Sequence, residues 1–227
     1  MIKSLGTVVS VRTGKITSYE RPAWDHVKSR PYATAFRKAE VGGPVQVGPL
    51  GLAGDEQADK KHHGGPHMAV LMYAESHYPG WRMLEGLEDM GPGGFGENLT
   101  VTGADEITTC VGDVLQVGGT RLQVSSPRGP CADISRRWDR EWLLKQVVER
   151  RQTGWYLRVL EPGEVSAGDE VRLLERPHDG WTIDRILRLR YLTLRDWPGM
   201  REASELVSLG PDWRELFADL AAKERSA

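Results

Sequence analysis

The sequence is poor in cysteine, with two among 227 residues. So few thiols exclude the disulfide framework of a small secreted domain, and we expect a reducing, cytoplasmic environment. No apolar run approaches the roughly 18 residues of a membrane span, and the N-terminus lacks the apolar core of a signal peptide. An excess of one charge is also missing: Lys and Arg total 30, and Asp and Glu total 32. No net field therefore draws the chain to nucleic acid or to a membrane surface.

Glycine, in contrast, is abundant, with 26 residues. Many glycines separate short segments in which apolar and polar residues alternate, as in residues 114–117 and 121–124 on either side of Gly118-Gly119. Alternation with a glycine turn predicts a β-hairpin, and many short strands at close spacing favour a barrel or a sandwich. We therefore predict a mainly β domain with α additions over residues 1–176, with helices at 75–84 and 139–151.

The pattern changes after residue 176, where helix signals replace the alternation. Thr182, Asp196 and Asp212 each precede an apolar pattern with helical spacing and can cap a helix. We predict a small three-helix domain over residues 177–227. Three short helices bury little surface alone, so they should pack on the β domain or on a second subunit, which makes a homodimer possible.

Cys131 is the strongest candidate for chemistry because it ends the segment Ser-Ser-Pro-Arg-Gly-Pro-Cys after a predicted strand. Two prolines stiffen this loop, and the permanent charge of Arg128 favours the thiolate, which attacks electrophiles and binds soft metals. The alternative is a buried structural cysteine. Cys110 is predicted to be an ordinary small apolar residue at a strand edge.

A second polar segment covers residues 55–65 and includes Asp55, Asp59 and His63. His62 and His63 are adjacent, so on a strand they face opposite sides and do not form a paired zinc site. The glycines at 64 and 65 let backbone amides approach an anion closely. A tight loop with solvated charges is the alternative.

Two further segments carry candidate residues. Glu97 and Asn98 follow a glycine-rich stretch and either hydrogen-bond a heterocycle or satisfy backbone groups at a barrel rim. Lys38 precedes Gly42-Gly43 and either contacts a phosphate or is an exposed basic residue, the commoner outcome.

Together these segments resemble the MOSC family, the domain also found at the C-terminus of molybdenum cofactor sulfurases, and most closely its bacterial YiiM-like branch. Each motif is modest, but their joint order and spacing are specific and span nearly the whole chain. The resembling segments are residues 38–43, 48–59, 63–66, 95–99, 124–131 and 153–159.

The resemblance implies a closed MOSC β-barrel with a C-terminal three-helix domain. It also implies a molybdenum cofactor whose metal is ligated by Cys131, and reduction of N-hydroxylated compounds, such as N-hydroxylated purine analogues, as a detoxification. Pyridoxal phosphate is not expected, because no lysine here has a Schiff-base context. Electrons should come from a separate flavin- or NAD(P)H-dependent reductase, because the chain has no flavin or nicotinamide fingerprint.

The resemblance also suggests roles for the other candidates. Arg128 would hold the thiolate or an anionic cofactor group, and Lys38 would contact the pterin phosphate. Proton relay is assigned to Glu97, Asp59 or His63. The remaining cofactor contacts are predicted at Asn98, Gly64, Gly65 and Asp55.

Two other functions fit the same residues. In a sulfur-carrier domain, Cys131 would hold a persulfide and no metal. In a non-catalytic protein, the barrel would bind and deliver the cofactor. A thiol hydrolase is a more distant alternative, because no Cys-His-Asp arrangement is evident.

Overall fold

The computed structural model describes residues 3–26, 31–59, 64–192 and 195–226. Most of the chain before residue 176 forms short strands, as predicted. The strands are β1 (Lys3–Thr13), β2 (Thr17–Tyr19), β3 (Tyr32–Thr34), β4 (Ala39–Glu40), β5 (Val45–Gly48), β6 (Gly51–Leu52), β7 (Val70–Ala74), β8 (Leu99–Val101), β9 (Val114–Val117), β10 (Thr120–Pro127), β11 (Trp155–Glu161), β12 (Gly163–Val165) and β13 (Glu170–Glu175). The helices are α1 (Tyr78–Arg82), α2 (Ala132–Trp138), α3 (Leu143–Arg150), α4 (Ile183–Tyr191), α5 (Trp197–Glu205) and α6 (Pro211–Ala222).

Seven strands form a closed barrel in the order β1, β13, β9, β10, β11, β7 and β8. The ring closes because β1 pairs with β13 on one side and with β8 on the other. All neighbours are antiparallel except β7 and β8, which are parallel. The strand β1 bends around the barrel with register shifts at two points, as β-bulges allow. The predicted closed, mainly β fold is confirmed.

The predicted hairpin at residues 114–124 is also present. Thr120 of β10 faces Val117 of β9, so Gly118-Gly119 form a two-residue turn. Gly118 adopts a φ of 54°, which glycine adopts without the steric cost other residues meet. The strand β10 then runs eight residues and ends at Pro127, four residues before Cys131.

Two hydrophobic clusters fill the molecule. The larger one combines the barrel interior with the apolar faces of α4, α5 and α6, so these helices pack on the barrel. The smaller one lies among α1, α2 and α3 and contains Tyr73 stacked on Phe95, with ring centroids 4.5 Å apart. The division into domains at residue 176 stays a prediction.

The helix predictions differ from the structure in three places. The helix predicted over residues 139–151 is α3 alone, because Asp139 adopts a left-handed conformation that ends the separate helix α2. Pro79 lies in the first turn of α1, where no backbone N–H is needed, so it helps start this helix. Thr182 and Asp196 cap α4 and α5 as predicted, but Asp212 lies inside the first turn of α6.

None of the helices in the described ranges has the length and apolar character needed to cross a lipid bilayer.

Candidate functional site

A cavity of about 550 Å³ brings the predicted segments together. Its walls include residues from the loop after β3, the loop after β6, the start of β7, the loop after β10 and the start of β11. Seven of the ten predicted site residues line it: Lys38, Asp55, Asp59, Gly64, Asn98, Arg128 and Cys131. Cys131 therefore shares one cavity with the glycine loop at 64, although more than sixty residues separate them.

Cys131 is positioned by rigid backbone on both sides. The strand β10 ends at Pro127, and the Arg128 N–H donates to the Gly154 carbonyl at 3.0 Å. Cys131 itself is extended, with φ −127° and ψ 165°, and directly precedes α2. Its thiol is partly exposed toward the cavity, whereas Cys110 is buried and burial raises the pKa of the Cys110 thiol. The prediction that only one of the two cysteines meets a cavity is thus consistent with the geometry.

Arg128 places a positive charge beside this sulfur. Its Nη2 lies 3.7 Å from Cys131 Sγ, and its guanidinium lies 5.3 Å from the centroid of the Phe36 ring. The residue is 3% exposed, and the Tyr156 phenol lies within reach of its guanidinium. Nε and Nη1 nevertheless make no well-aligned hydrogen bond to the described residues. A buried cation with unsatisfied donors is costly, so the geometry fits an anionic group bound in the cavity.

Lys38 and Asp55 form a buried ion pair in the cavity wall. The Lys38 ammonium donates to the Asp55 carboxylate, and their side chains are 8% and 3% exposed. The Gly14 N–H also donates to Asp55, at 2.7 Å. Burial lowers the pKa of Lys38, although the Asp55 charge opposes this shift. An ammonium group has three donors, so Lys38 can bind Asp55 and a second acceptor in the cavity.

Asn98 holds this ion pair in place. Its Nδ2 donates to Asp55 Oδ2 at 2.9 Å and to the Arg12 carbonyl at 3.2 Å, and its Oδ1 accepts from the Leu71 N–H at 3.0 Å. The side chain thereby joins β1, β7 and Asp55. Asn98 lines the cavity as predicted, but these bonds give it a positioning role at the barrel rim.

Glu97 does not line the cavity, contrary to the catalytic role predicted for it. Its fully buried carboxylate accepts four hydrogen bonds, from the Tyr78 hydroxyl, the N–H groups of Gly93 and Phe95, and the Thr100 hydroxyl. These donors tie the glycine-rich loop before β8 to α1. Every one of these bonds goes to protein, so the carboxylate holds this loop in place, and its role in proton relay stays a prediction.

The glycine loop is only partly a cavity wall. Gly64 lines the cavity with a φ of 91°, and a Cβ there would lie 3.2 Å from the Gln57 side chain. Gly65 is not among the lining residues, because it begins the turn of 3-10 helix at Pro66–Met68. Asp59 lines the cavity, and His63 lies outside the described residues.

The cavity residues that the sequence reasoning missed include Asp133, Arg136 and Tyr156. Tyr156 lies on β11 opposite Ser126, and burial raises the pKa of its phenol. The alternation of β11 carried a signal, since Trp155 and Leu157 face the core and Tyr156 faces the other side. Asp133 and Arg136 lie on α2, the helix that was not predicted.

Comparison with known proteins gives a consistent result. The chain matches the model of the MOSC domain family over residues 59–172. It is 31% identical to the uncharacterized protein YflK of Bacillus subtilis over 93% of this chain and 92% of that protein. It is 36% identical to protein YiiM of Escherichia coli over 75% of this chain and 73% of that protein. A reductase of Gibberella moniliformis is 33% identical over 97% of this chain, which spans only 37% of that longer protein.

The fold comparison agrees. The crystal structure of YiiM from Geobacillus stearothermophilus superposes with a TM-score of 0.77 at 27% identity, covering 94% of this chain and 98% of that one.

Proposed function

Because this chain belongs to the MOSC domain family, we propose that it reduces N-hydroxylated compounds with a molybdenum cofactor held in the cavity. The observation that carries the proposal is the pairing of a cavity-facing thiol with a buried, partly unsatisfied guanidinium at Arg128. Thiolate is a soft ligand suited to a molybdenum centre, and arginine is suited to an anionic cofactor group.

The residues fit such a cofactor in size and in donor chemistry. A volume of about 550 Å³ lies within the range of small-ligand pockets. In a molybdenum cofactor the dithiolene sulfurs of the pterin hold the metal, and Cys131 would supply one further soft ligand from the cavity wall.

When bound, the cofactor supplies two electrons that, with two protons, convert an N–OH group to N–H and water. The protein supplies the remaining functions. Cys131 holds the metal through Sγ, and Arg128 binds an anionic group through Nε and Nη1. Lys38 would contact an anionic group of the pterin through Nζ, which Asp55 holds in position at the cavity wall. A separate flavin- or NAD(P)H-dependent reductase supplies the electrons.

The two cysteines provide a matched test. Wild type, Cys131→Ala and Cys110→Ala are purified from a host that makes the cofactor, and molybdenum and pterin contents are measured. Reduction of an N-hydroxylated purine is assayed with a chemical electron donor. We expect wild type and Cys110→Ala to contain the metal and turn over, and Cys131→Ala to lose about tenfold or more of both.

Full metal content and full turnover in Cys131→Ala would refute the proposed role. A persulfide on Cys131 in wild type without molybdenum would instead support a sulfur carrier. Tight cofactor binding without turnover would support a delivery protein.

A further inference from the structure

A second polar group in the cavity has no part in the proposed cofactor contacts. Asp133 and Arg136 lie three residues apart on α2, on the same face of the helix, and both line the cavity. Arg136 Nη1 donates to Asp133 Oδ1 at 2.9 Å. The Thr34 hydroxyl donates to Asp133 Oδ2 at 2.7 Å, so β3 fixes the carboxylate from the other side.

The Arg136 guanidinium is held just as firmly. Its Nε donates to Asp25 Oδ2 at 2.7 Å, and Arg21 Nη1 donates to the same oxygen at 2.6 Å. Arg136 also lies 5.2 Å from the centroid of the Tyr32 ring. Burial opposes the charge of Arg136, but hydrogen bonds to Asp25 and Asp133 outweigh this, and the pKa of Arg136 is raised. The guanidinium is therefore a fixed, permanently charged donor.

Bonding capacity remains on both side chains after these contacts. Each Asp133 oxygen accepts one of the bonds above, and a carboxylate oxygen can accept two. Arg136 Nη2 donates no hydrogen bond within the ranges that the structure describes. The side chains are 22% and 18% exposed, and they meet open space in the cavity. The Asp133 carboxylate can therefore accept, and Arg136 Nη2 can donate, one further hydrogen bond at adjacent positions on one face of α2.

We propose that Asp133 and Arg136 orient the substrate, by accepting a hydrogen bond from it and donating one to it. The complementary ligand is a planar group with a donor nitrogen and an acceptor nitrogen joined through one carbon, as in an amidine or an aminopurine. This inference rests on the proposed function and assigns it residues for substrate choice. Cys131, Asp133 and Arg136 line the same cavity, so a ligand bound here shares it with the proposed metal site.

The arrangement also predicts what the site discriminates against. An N-alkylhydroxylamine has its donor and acceptor only on the reacting N–O group, so it cannot bond both side chains while that group takes part in the reaction. The loss of a hydrogen bond to a charged side chain weakens binding more than the loss of an apolar contact. Asp133 and Arg136 therefore favour N-hydroxylated amidines and aminopurines over alkyl compounds.

The test uses Asp133→Asn, which keeps the shape of the side chain, and Asp184→Asn as its matched control. Asp184 is also a partly buried helical aspartate paired with arginines, Arg151 and Arg188, but it does not line the cavity and does not contact Arg136. For each protein, adenine binding is measured by calorimetry. The kcat and KM values are measured for N-hydroxylated adenine and for N-methylhydroxylamine, and molybdenum content is determined.

We expect Asp133→Asn to weaken adenine binding and raise the KM for N-hydroxylated adenine by about tenfold, the effect of losing one charged hydrogen bond. The KM for N-methylhydroxylamine and the molybdenum content should stay as in wild type, and Asp184→Asn should resemble wild type in all four measurements. Equal losses in both variants would overturn the inference, because the effect would then follow from the loss of any buried aspartate charge.

The outcomes also separate this inference from the proposed reaction. A wild type that reduces neither compound, but binds adenine in a way that depends on Asp133, would refute the reaction and support the assigned residues. Wild-type turnover with unchanged adenine binding in Asp133→Asn would refute the assigned residues and leave the reaction standing.

Discussion

Replacing Glu97 with glutamine tests whether this buried carboxylate supports structure or chemistry. Three of its four donors converge on Oε1, from Tyr78, Gly93 and Thr100, and one on Oε2, from the Phe95 N–H. In Glu97→Gln, the amide oxygen can keep the three donors at the Oε1 position. The amide nitrogen then faces the Phe95 N–H, so one acceptor is lost and two donors meet.

The expected cost follows from this count. A buried donor left without an acceptor costs about 1–3 kcal/mol, so Glu97→Gln should lower the free energy of unfolding by that amount. Glu97→Ala leaves all four donors without an acceptor. It should lower the free energy of unfolding by roughly 3–5 kcal/mol, as does the loss of one partner of a buried charged network. Either value is a large part of the roughly 5–15 kcal/mol by which a native domain is stable.

The assay is denaturant unfolding followed by tryptophan fluorescence, together with turnover per bound molybdenum for the folded protein. Glu106→Gln is the matched control, because Glu106 is also buried and outside the cavity wall, and it accepts from the Gly154 N–H at 2.7 Å and pairs with His77. Both variants should be destabilised and keep their turnover. Unchanged stability with lost turnover in Glu97→Gln alone would refute the structural role and restore the proton relay.

Three further predictions follow from the buried charges and phenols. Asp55→Asn leaves Lys38 without its counter-charge and should lower the free energy of unfolding by about 3 kcal/mol, measured by denaturant unfolding. Burial raises the pKa values of Tyr73 and Tyr78 in the folded protein. Their contribution to stability is complete below pH 10 and falls above it, by about 1.4 kcal/mol per pH unit for each, so Tyr73→Phe should reduce the alkaline slope of the unfolding free energy. Arg128→Met should reduce molybdenum content about tenfold while making the cofactor-free protein more stable, and a loss of stability would contradict this reasoning.

The strands with alternating patterns were predictable from the sequence, but the closure of the barrel was not. The hairpin of β9 and β10 follows from alternation and a glycine turn, which are local properties. The strand β7 is different, because all five of its residues are buried and the run Val-Leu-Met-Tyr-Ala shows no alternation. Its parallel pairing with β8 joins residues 72 and 99 through a long connection, and no local pattern specifies such a partner.

The candidate site was predictable to the extent that its chemistry is local. The loop from Pro127 to Cys131 carries its own stiffness and charge, so its cavity position could be anticipated. The orientation of Glu97 could not, because it depends on donors from α1 and from the loop before β8 that only the fold brings together. Asp133 and Arg136 were missed because α2 has only seven residues, a length over which helical periodicity gives little signal.

The distribution of buried charges supports a role for the cavity in binding an anion. Among the described residues, four charged residues are buried as whole residues, and three are acids with several donors each: Glu97, Glu106 and Asp113. Arg128 is the exception, with two guanidinium nitrogens unsatisfied. Packing alone disfavours such a residue, since a neutral side chain of similar volume would avoid the desolvation cost. The residue lies beside Cys131 and in the cavity wall, so the cost falls where a bound anion would offset it.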